Sequence, residues 1–326
     1  MTVAVLGAGG FIGSHLVKFL KGEGKYVVGV DIKLPSFGPT QADEFIQGDL
    51  GNPVFTKDVI MKLRDKEVTE IYQLAADMGG AGYIFTGLND ANVMTNSSRV
   101  NLNLLSSMVE SGLVGEKSPN VFYSSSACIY PEEIQKSSEN VDLREESAYP
   151  ANPDSEYGWE KLFSERLFAS YRRNFGIKSH IARYHNVFGP EGTFDGGKEK
   201  APAAICRKVA QAKDREYVEI WGDGKQTRSF LFVKDCVEAT VKLTRSDFFD
   251  PINIGSEEMV SINTLAELAI EISGKNLGIK HIQGPQGVRG RNSNNSLIEA
   301  VLNWRPSTNL RSGLTQTYEW IARQVM

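Results

Sequence analysis

The stretch Gly7-Ala-Gly-Gly-Phe-Ile-Gly13 constrains the fold most, because it joins an apolar run to a helical pattern. The run Thr2–Leu6 suits a buried strand, and apolar residues recur at helical spacing from about Phe11 to Lys21. Glycines between a strand and a helix permit a tight turn and let phosphate approach the free N–H groups at the helix start. The stretch therefore predicts a dinucleotide site. We expect the cofactor to contact Gly7, Gly10, Phe11, Ile12 and Gly13.

Asp31 ends the second predicted strand, Tyr26 to Val30, about 20 residues after the glycine turn. A carboxylate at this place accepts hydrogen bonds from the adenosine ribose hydroxyls and repels a 2′-phosphate, so it favours NAD over NADP. Lys33 lies nearby and keeps NADP open, and a plain turn residue at a strand end is the alternative for Asp31. From its position after the third strand, we expect Asp49 to help position adenine through backbone contacts.

The first half of the chain alternates between short strands and helices, which predicts a parallel sheet with helices on both faces. Further strands are predicted at 71–74, 121–123 and 180–184, and long helices at about 91–111 and 155–175. After Gly189, short strands mix with helices and Gly-rich turns, as in a smaller lobe. We therefore expect an α/β protein, with a Rossmann-type doubly wound parallel sheet and a smaller mixed α/β substrate lobe. The sheet is assigned to residues 1–185 and 229–254, and the substrate lobe to residues 186–228 and 255–326.

Charge and cysteine content exclude several classes of protein. A net charge of −4 argues against a nucleic-acid partner, which attracts clustered positive charge. Three cysteines without a CxxC pair and only four histidines argue against a zinc site. Met1 to Leu20 lacks the basic start of a signal peptide, and no other run reaches the roughly 18 to 20 apolar residues of a membrane span. An odd number of cysteines fits a reducing compartment, so we expect a cytoplasmic protein without a membrane partner.

Tyr157 and Lys161 lie four residues apart and hence on one face of a helix. A lysine ammonium and the positive nicotinamide ring both favour the phenolate, so we expect the tyrosine pKa to fall below its usual value of about 10. Such a tyrosine can remove a hydroxyl proton while hydride leaves the same carbon for NAD. Ser126, directly after a predicted strand, adds a hydroxyl to share that proton. The spacing alone occurs by chance in many helices; its combination with the glycine turn makes it informative.

The glycine turn, the serine and the Tyr-Lys pair together resemble the extended short-chain dehydrogenase/reductase superfamily. The stretches Asn186–Pro190 and Trp221–Arg228 resemble the substrate lobe of its nucleotide-sugar members. Within this superfamily the chain is most similar to the GDP-mannose 3,5-epimerase family, from about residue 2 to the C-terminus. Five stretches carry this similarity: Ala76–Gly80, Ser125–Glu132, Gly196–Ala204, Asn253–Ser261 and Gly284–Ser293.

The resemblance implies that the chain inverts C3 and C5 of GDP-mannose, giving GDP-L-galactose, or GDP-L-gulose when C5 alone is inverted. It implies a transient ketone at C4, formed with Tyr157 as base and NAD as a regenerated hydride acceptor. The ketone acidifies the C3 and C5 hydrogens, and the family's Cys and Lys, which exchange protons there, match Cys128 and Lys200. Nearby positive charge would tune the thiol toward neutrality. From the residues alone, a small buried side chain for Cys128 and a surface lysine for Lys200 remain the alternatives.

The diphosphate needs cations, and guanidinium groups make paired bonds with phosphate oxygens. The candidates are Arg228, Arg289, Arg291 and Lys208, with surface ion pairing as the alternative for each. With the further contacts that the resemblance implies, the expected substrate-binding residues are Gly79, Gly80, Ser126, Asn186, Glu199, Lys200, Lys208, Gln226, Arg228 and Arg291. The resemblance also implies a homodimer that pairs through the two long helices. The residues alone do not separate guanine from uracil.

The main alternative is another nucleotide-sugar epimerase, acting at C4 or at a single site. An epimerase that acts at C4 needs neither Cys128 nor Lys200. A 4,6-dehydratase of the superfamily carries an Asp-Glu pair where this chain has Ala127-Cys128. A catalytically silent NAD-sensing protein usually loses the tyrosine or the lysine, and both are present here.

Overall fold

The computed structural model describes residues 1–139, 141–285 and 287–325. Gln286, within the stretch Gly284–Ser293, and Met326, at the end of the predicted substrate lobe, lie outside the described residues. The strands are β1 Thr2–Leu6, β2 Tyr26–Asp31, β3 Glu44–Gln47, β4 Glu70–Gln73, β5 Asn120–Ser126, β6 Lys178–Tyr184, β7 Val187–Phe188, β8 Tyr217–Trp221, β9 Thr227–Ser229, β10 Leu231–Phe232, β11 Ile252–Ile254, β12 Met259–Ser261, β13 Gly278–Ile282 and β14 Gly290–Arg291. The α-helices are α1 Phe11–Gly22, α2 Pro53–Asp65, α3 Ala81–Ile84, α4 Asp90–Glu110, α5 Glu156–Phe175, α6 Ala201–Gln211, α7 Val233–Thr244, α8 Ile262–Ser273, α9 Ser296–Leu302 and α10 Leu310–Val325.

Seven strands form the main sheet in the order β11-β6-β5-β4-β1-β2-β3, and every neighbouring pair is parallel. Alternate residues of β1 enter opposite cores: Val3 and Val5 pack with α1 and α7, whereas Ala4 and Leu6 pack with α2, α4 and α5. Helices therefore cover both faces, which explains why the strands are almost wholly apolar. The strand order reverses between β1 and β4, and this reversal opens a crevice at the carboxyl ends of the strands. The predicted fold class is confirmed.

In the second lobe, strands β9 and β14 pair and bring two arginines together. Strand β9 lies between β12 and β14, and its register places Arg228 opposite Arg291. Strands β8 and β13 form a separate parallel pair, and helices α6, α8 and α10 share one core with them. Ile298 of α9 and Trp304 pack in the core of β1 and α1, although the sequence assigns them to the substrate lobe. The boundaries of the two lobes stay a prediction.

Helix α5 shows how local sequence sets the position of a functional side chain. Its N-cap is Ser155, whose hydroxyl accepts a hydrogen bond of 3.3 Å from the Gly158 N–H, and it ends at Gly176, with φ of +70°. A Cβ at Gly158 would lie only 2.2 Å from the carbonyl oxygen of Cys128. Glycine is required there because the first turn of α5 packs directly on the turn that carries Cys128.

The described residues provide neither a membrane-spanning helix nor a cluster of metal ligands. None of the helices within ranges 1–139, 141–285 and 287–325 has the length and apolar character to cross a membrane. The same ranges contain no group of three or more His, Cys, Asp or Glu residues placed to hold a metal ion.

Candidate active site

The glycine turn between β1 and α1 fits a dinucleotide pyrophosphate. Gly7 has φ of +91°, and a Cβ at Gly13 would lie 2.0 Å from the Gly7 carbonyl oxygen, so the turn is too tight for side chains. Gly10 is the N-cap of α1, and no side chain of the described residues caps this helix. Helix α1 therefore offers its first N–H groups and the positive end of its dipole to a phosphate.

Asp31 lies at the end of β2 as predicted, and its carboxylate also holds the turn. Oδ2 accepts a hydrogen bond of 2.9 Å from the Gly9 N–H, and Oδ1 accepts one of 3.1 Å from the Lys33 N–H. The residue is thus both a strand-end turn residue and a carboxylate at the place expected to contact the ribose. Asp49 follows β3, where its Oδ1 accepts 2.7 Å from the Gly51 N–H; its contact with adenine stays a prediction.

Tyr157, Lys161 and Ser126 come together where the first turns of α5 pass the end of β5. Tyr157 and Lys161 are both buried. Lys161 Nζ donates a hydrogen bond of 2.9 Å to the Ser124 carbonyl oxygen and lies 5.7 Å from the ring centre of Tyr157. The ammonium thus lies beside the ring of Tyr157, and its hydrogen bond goes to the backbone. Ser126 Oγ accepts 3.2 Å from the Cys128 N–H, which fixes the turn between the two predicted catalytic side chains.

Burial opposes the expected lowering of the Tyr157 pKa. Burial raises the pKa of Tyr157 well above its ordinary value, and the nearby Cys128 raises it further, while Ser126 and Arg291 oppose this change less strongly. Burial also lowers the pKa of Lys161. The sequence argument counted only the neighbouring charge, whereas the free-energy cost of a phenolate away from water dominates.

Cys128 lies in a short 3₁₀ turn after β5, and Arg291 approaches it from β14. Arg291 Nη1 donates a hydrogen bond of 3.0 Å to Cys128 Sγ. The guanidinium is held by two other groups: Nη2 donates 2.6 Å to Asp154 Oδ2, and Nε donates 2.6 Å to Gln135 Oε1. Burial alone would lower the pKa of Arg291, but Cys128 and Asp154 together raise it. The thiol therefore has a permanent cation beside it, as the sequence argument requires.

Lys200 is the N-cap of α6, at the end of the Gly-rich loop. It is half-buried, and burial lowers its pKa while Cys128 opposes this effect. Within the described parts of the chain its Nζ makes no hydrogen bond. The preceding loop is held in place because the Gly80 N–H donates 3.0 Å to the Lys198 carbonyl oxygen, and the Gly197 N–H donates 2.6 Å to Glu199 Oε2.

A single cavity of about 480 Å³ joins these groups. Cys128 and Tyr157 line it, as do all ten predicted substrate-binding residues: Gly79, Gly80, Ser126, Asn186, Glu199, Lys200, Lys208, Gln226, Arg228 and Arg291. Lys161 lies outside this lining, behind Tyr157. The structure thus brings the residues together, and their individual contacts with a substrate stay predictions.

The predicted diphosphate cations fall into two groups. Arg228 and Arg291 face each other across β9 and β14 and line the cavity, and burial with the neighbouring Arg291 lowers the pKa of Arg228. Of the five N–H groups of Arg291, its described partners use three, so two remain to bind a phosphate. Arg289 is outside the cavity lining: its two Nη atoms donate 2.8 and 3.0 Å to the Asp223 carboxylate, as the alternative of a surface ion pair predicts.

Several residues at the site were not singled out from the sequence. Asp154 and Gln135 hold Arg291, and Arg207 Nη2 donates 3.3 Å to Glu199 Oε1. Trp221 and Glu219 line the cavity at the end of β8. Asp154 lies just before a predicted helix, where an acidic residue is ordinary, so its sequence position carried no distinct signal.

A buried polar cluster of residues from β5, α5 and β6 holds the end of β5 in place. Arg183 donates 3.0 Å from Nε and 2.8 Å from Nη2 to the Glu165 carboxylate, and both side chains are only 4% exposed. Ser125 Oγ donates 2.5 Å to Glu165 Oε1. His185 lies nearby, with Nε2 3.0 Å from Asn253 Oδ1, and burial lowers its pKa to about 3. The strand that ends in Ser126 is therefore anchored by a charge pair removed from water.

Comparisons with known proteins agree with this geometry. The sequence matches the model of the NAD dependent epimerase/dehydratase family over residues 3–255. It is 45% identical over 327 aligned residues to the GDP-mannose 3,5-epimerase of Arabidopsis thaliana, covering 100% of this chain and 83% of that protein. The fold is similar to a Thermotoga maritima UDP-glucose 4-epimerase, at TM-score 0.85 and 23% identity, with 100% of both chains covered. It is also similar to the Bacillus cereus UDP-glucuronic acid 4-epimerase solved with UDP-glucuronic acid and NAD, at TM-score 0.82 and 27% identity, covering 99% of this chain and 100% of that one.

Proposed function

Because the chain belongs to the NAD dependent epimerase/dehydratase family, we propose that it inverts C3 and C5 of GDP-mannose. The product is GDP-L-galactose, or GDP-L-gulose when only C5 is inverted. The chain is an epimerase that uses NAD, as its family and its structural neighbours indicate. The observation that carries the substrate assignment is the cavity that contains both Cys128 and Lys200 beside Tyr157, since an epimerase acting only at C4 needs neither.

The residues that would hold NAD are those of the glycine turn together with Asp31, Asp49, Tyr157 and Lys161. When bound, the cofactor would supply a reversible hydride acceptor for C4 of the sugar, so no external oxidant would be consumed. Tyr157 takes the C4 hydroxyl proton and Ser126 shares it by hydrogen bonding. Lys161, held by the Ser124 carbonyl, keeps a positive charge behind the phenol and favours its ionised form.

Cys128 and Lys200 exchange the protons at C3 and C5. Cys128 acts as the base on one face of the ring, with the Arg291 guanidinium hydrogen-bonded to its sulfur. Burial lowers the pKa of Lys200, so its ammonium gives up a proton more readily on the other face. Glu199, held by Arg207 and the Gly197 N–H, orients the sugar hydroxyls. Arg228, Arg291 and Lys208 bind the diphosphate, and Asn186 and Gln226 contact the sugar or phosphate.

The test is to incubate the purified protein with GDP-mannose in deuterium oxide and to follow the ring protons by NMR. Deuterium at C3 and C5 with galacto or gulo products is expected, with or without added NAD according to how tightly NAD is retained. Cys128→Ala should abolish the exchange, whereas Cys206→Ala, which changes a buried cysteine of α6, should keep it. The proposal would be wrong if no exchange occurred even with NAD, or if C4 were inverted without deuterium at C3 and C5. The chain would then be another sugar-nucleotide epimerase.

We also propose a homodimer in which two copies pair through α4 and α5. Trp159 and Phe163 lie four residues apart on α5 and are 40% and 47% exposed, and Leu102 is exposed on α4. Two such faces can bury each other about a two-fold axis. Light scattering should give twice the chain mass, and Trp159→Glu with Phe163→Glu should give the monomer mass. Val301→Glu, at an exposed apolar residue of α9, is the matched control.

The cytoplasm is the compartment we propose. Cys128, Cys206 and Cys236 are all free, and the proposed chemistry needs Cys128 as a thiol, which a reducing compartment maintains. Cell fractionation with an antibody to the chain checks this.

A further inference from the structure

The residues along the cavity indicate how a nucleotide sugar would lie in it, with the sugar at one end and the base at the other. Tyr157, Cys128 and Lys200 form the sugar end. Lys208 lies eight residues after Lys200 along α6, which is about 12 Å at the rise of a helix. Its Nζ donates 2.6 Å to the carbonyl oxygen of Glu219 on β8. A diphosphate held between these two lysines therefore places the nucleotide base against β8.

A second line of contacts gives the same direction. Arg291, beside Cys128, pairs in register with Arg228. Two residues before Arg228, Gln226 donates 3.3 Å from Nε2 to the Trp221 carbonyl oxygen at the end of β8. The cations thus lie between the catalytic residues and the strand, as the order sugar, diphosphate and base requires.

Glu219 and Trp221 share one face of β8, because alternate residues of a strand do, and both line the cavity. Ile220, on the opposite face, lines it too, so the cavity borders β8 along its edge, where the Glu219 carbonyl accepts from Lys208. Of the described lining residues, only Glu199 and Glu219 are carboxylates, and Glu199 is held near Lys200 by Arg207 and the Gly197 N–H. Glu219 Oε1 has Lys280 Nζ at 3.8 Å, and both side chains are about half exposed. Such a surface pair is weak, so the carboxylate is available to a ligand.

The bases differ in what they offer a carboxylate. Guanine carries two neighbouring donors on its pairing edge, N1–H and the 2-amino group, which match the two oxygens of a carboxylate. Uracil and thymine carry one N–H between two carbonyl oxygens, which a carboxylate repels. Adenine and cytosine place a ring nitrogen acceptor beside their amino group. A carboxylate at this place therefore favours guanine and disfavours the other bases.

We propose that Glu219 determines the base specificity of this enzyme by accepting two hydrogen bonds from guanine. This inference rests on the proposed function and names the residue that selects the GDP-linked substrate. The residues alone did not separate guanine from uracil. Glu219 belongs to no motif that the sequence singles out, and it becomes a candidate only because β8 borders the cavity.

The test is calorimetric binding of GDP, of inosine diphosphate, which lacks the 2-amino group, and of UDP. The wild-type protein should bind GDP about tenfold more tightly than inosine diphosphate, since one charge-assisted hydrogen bond is lost. Glu219→Gln should weaken GDP binding about tenfold and bring the ratio of the two affinities close to one, while UDP affinity changes less than about threefold. Lys280→Ala removes the ion-pair partner and should leave the ratio unchanged.

The outcomes separate this inference from the function on which it rests. A Glu219→Gln protein that keeps the full preference for GDP over inosine diphosphate would show that Glu219 does not contact the base. Unchanged UDP binding in the same variant shows that the cavity is still folded. If the wild-type protein shows no preference for GDP over UDP, the GDP-mannose assignment itself fails.

Discussion

Arg291 and Cys128 are joined by a hydrogen bond of 3.0 Å between Nη1 and Sγ, although 163 residues separate them in the chain. Asp154 and Gln135 each accept a further hydrogen bond from the guanidinium, so contacts within the chain set its orientation toward the thiol and hold it beside the sulfur. The base proposed for C3 and C5 is therefore prepared by the fold itself.

Replacing Arg291 with Gln should slow the alkylation of Cys128 by iodoacetamide at pH 7 about tenfold, because one charge-assisted hydrogen bond to the thiolate is lost. Burial raises the pKa of the Cys206 and Cys236 thiols to about 12, so mass spectrometry of the labelled peptides isolates Cys128. Arg291→Gln alone leaves the buried Asp154 carboxylate without its partner. The double variant with Asp154→Asn removes both charges of the pair and controls for this effect. An unchanged rate in both variants would mean that Arg291 does not activate the thiol.

Tyr157→Phe keeps the ring and removes the hydroxyl, so we expect the deuterium exchange at C3 and C5 to fall by at least about 100-fold. Without the base at C4, no ketone forms and the neighbouring hydrogens keep their low acidity. GDP binding, measured by calorimetry, should stay within about threefold of wild type. Tyr171→Phe is the matched control on α5, where the hydroxyl lies 3.4 Å from Ser106. Full exchange in the Tyr157 variant contradicts the mechanism.

Glu165→Gln should lower the free energy of unfolding by about 3 to 5 kcal/mol, because it leaves the buried Arg183 without its counter-charge. Urea denaturation followed by circular dichroism measures this change. Glu110→Gln, which breaks an exposed pair with Lys57, should cost less than about 1 kcal/mol. Equal effects in the two variants would show that burial of the Arg183 pair does not matter.

Burial lowers the pKa of His185 to about 3, whereas an unfolded chain has a histidine pKa of about 6.5. Between these values the unfolded state binds a proton that the folded state does not, so the free energy of unfolding falls as the pH drops below about 6.5. The expected slope from this group is up to about 1.4 kcal/mol per pH unit. His185→Gln should reduce the slope of unfolding free energy between pH 6.5 and 4, and His281→Gln, on the surface, should not. Parallel curves for wild type and the His185 variant would refute the assignment.

The fold was predictable because its signals are local. The glycine turn, the alternation of apolar runs with helices and the Tyr-Lys spacing all act within about 30 residues, the length of one βαβ unit. The neighbours of Cys128 were not predictable, since Arg291 and Asp154 meet only after the second lobe has packed. The rise that burial causes in the pKa of Tyr157 was not predictable either, because burial is a property of the folded chain. Only the resemblance separated Arg291 from Arg289 in the sequence, whereas the structure shows one pair half exposed at the surface and the other buried.

Asp31 gives the cofactor choice of this chain an unusual coupling. Its two oxygens accept the N–H groups of Gly9 and Lys33, so the charge expected to repel a 2′-phosphate is also a brace of the phosphate-binding turn. Exchanging Asp31 for an apolar residue to admit NADP would remove both functions at once. An engineered or evolved NADP-dependent descendant must first provide new acceptors for those two backbone donors, and only then can the loss of charge become an advantage.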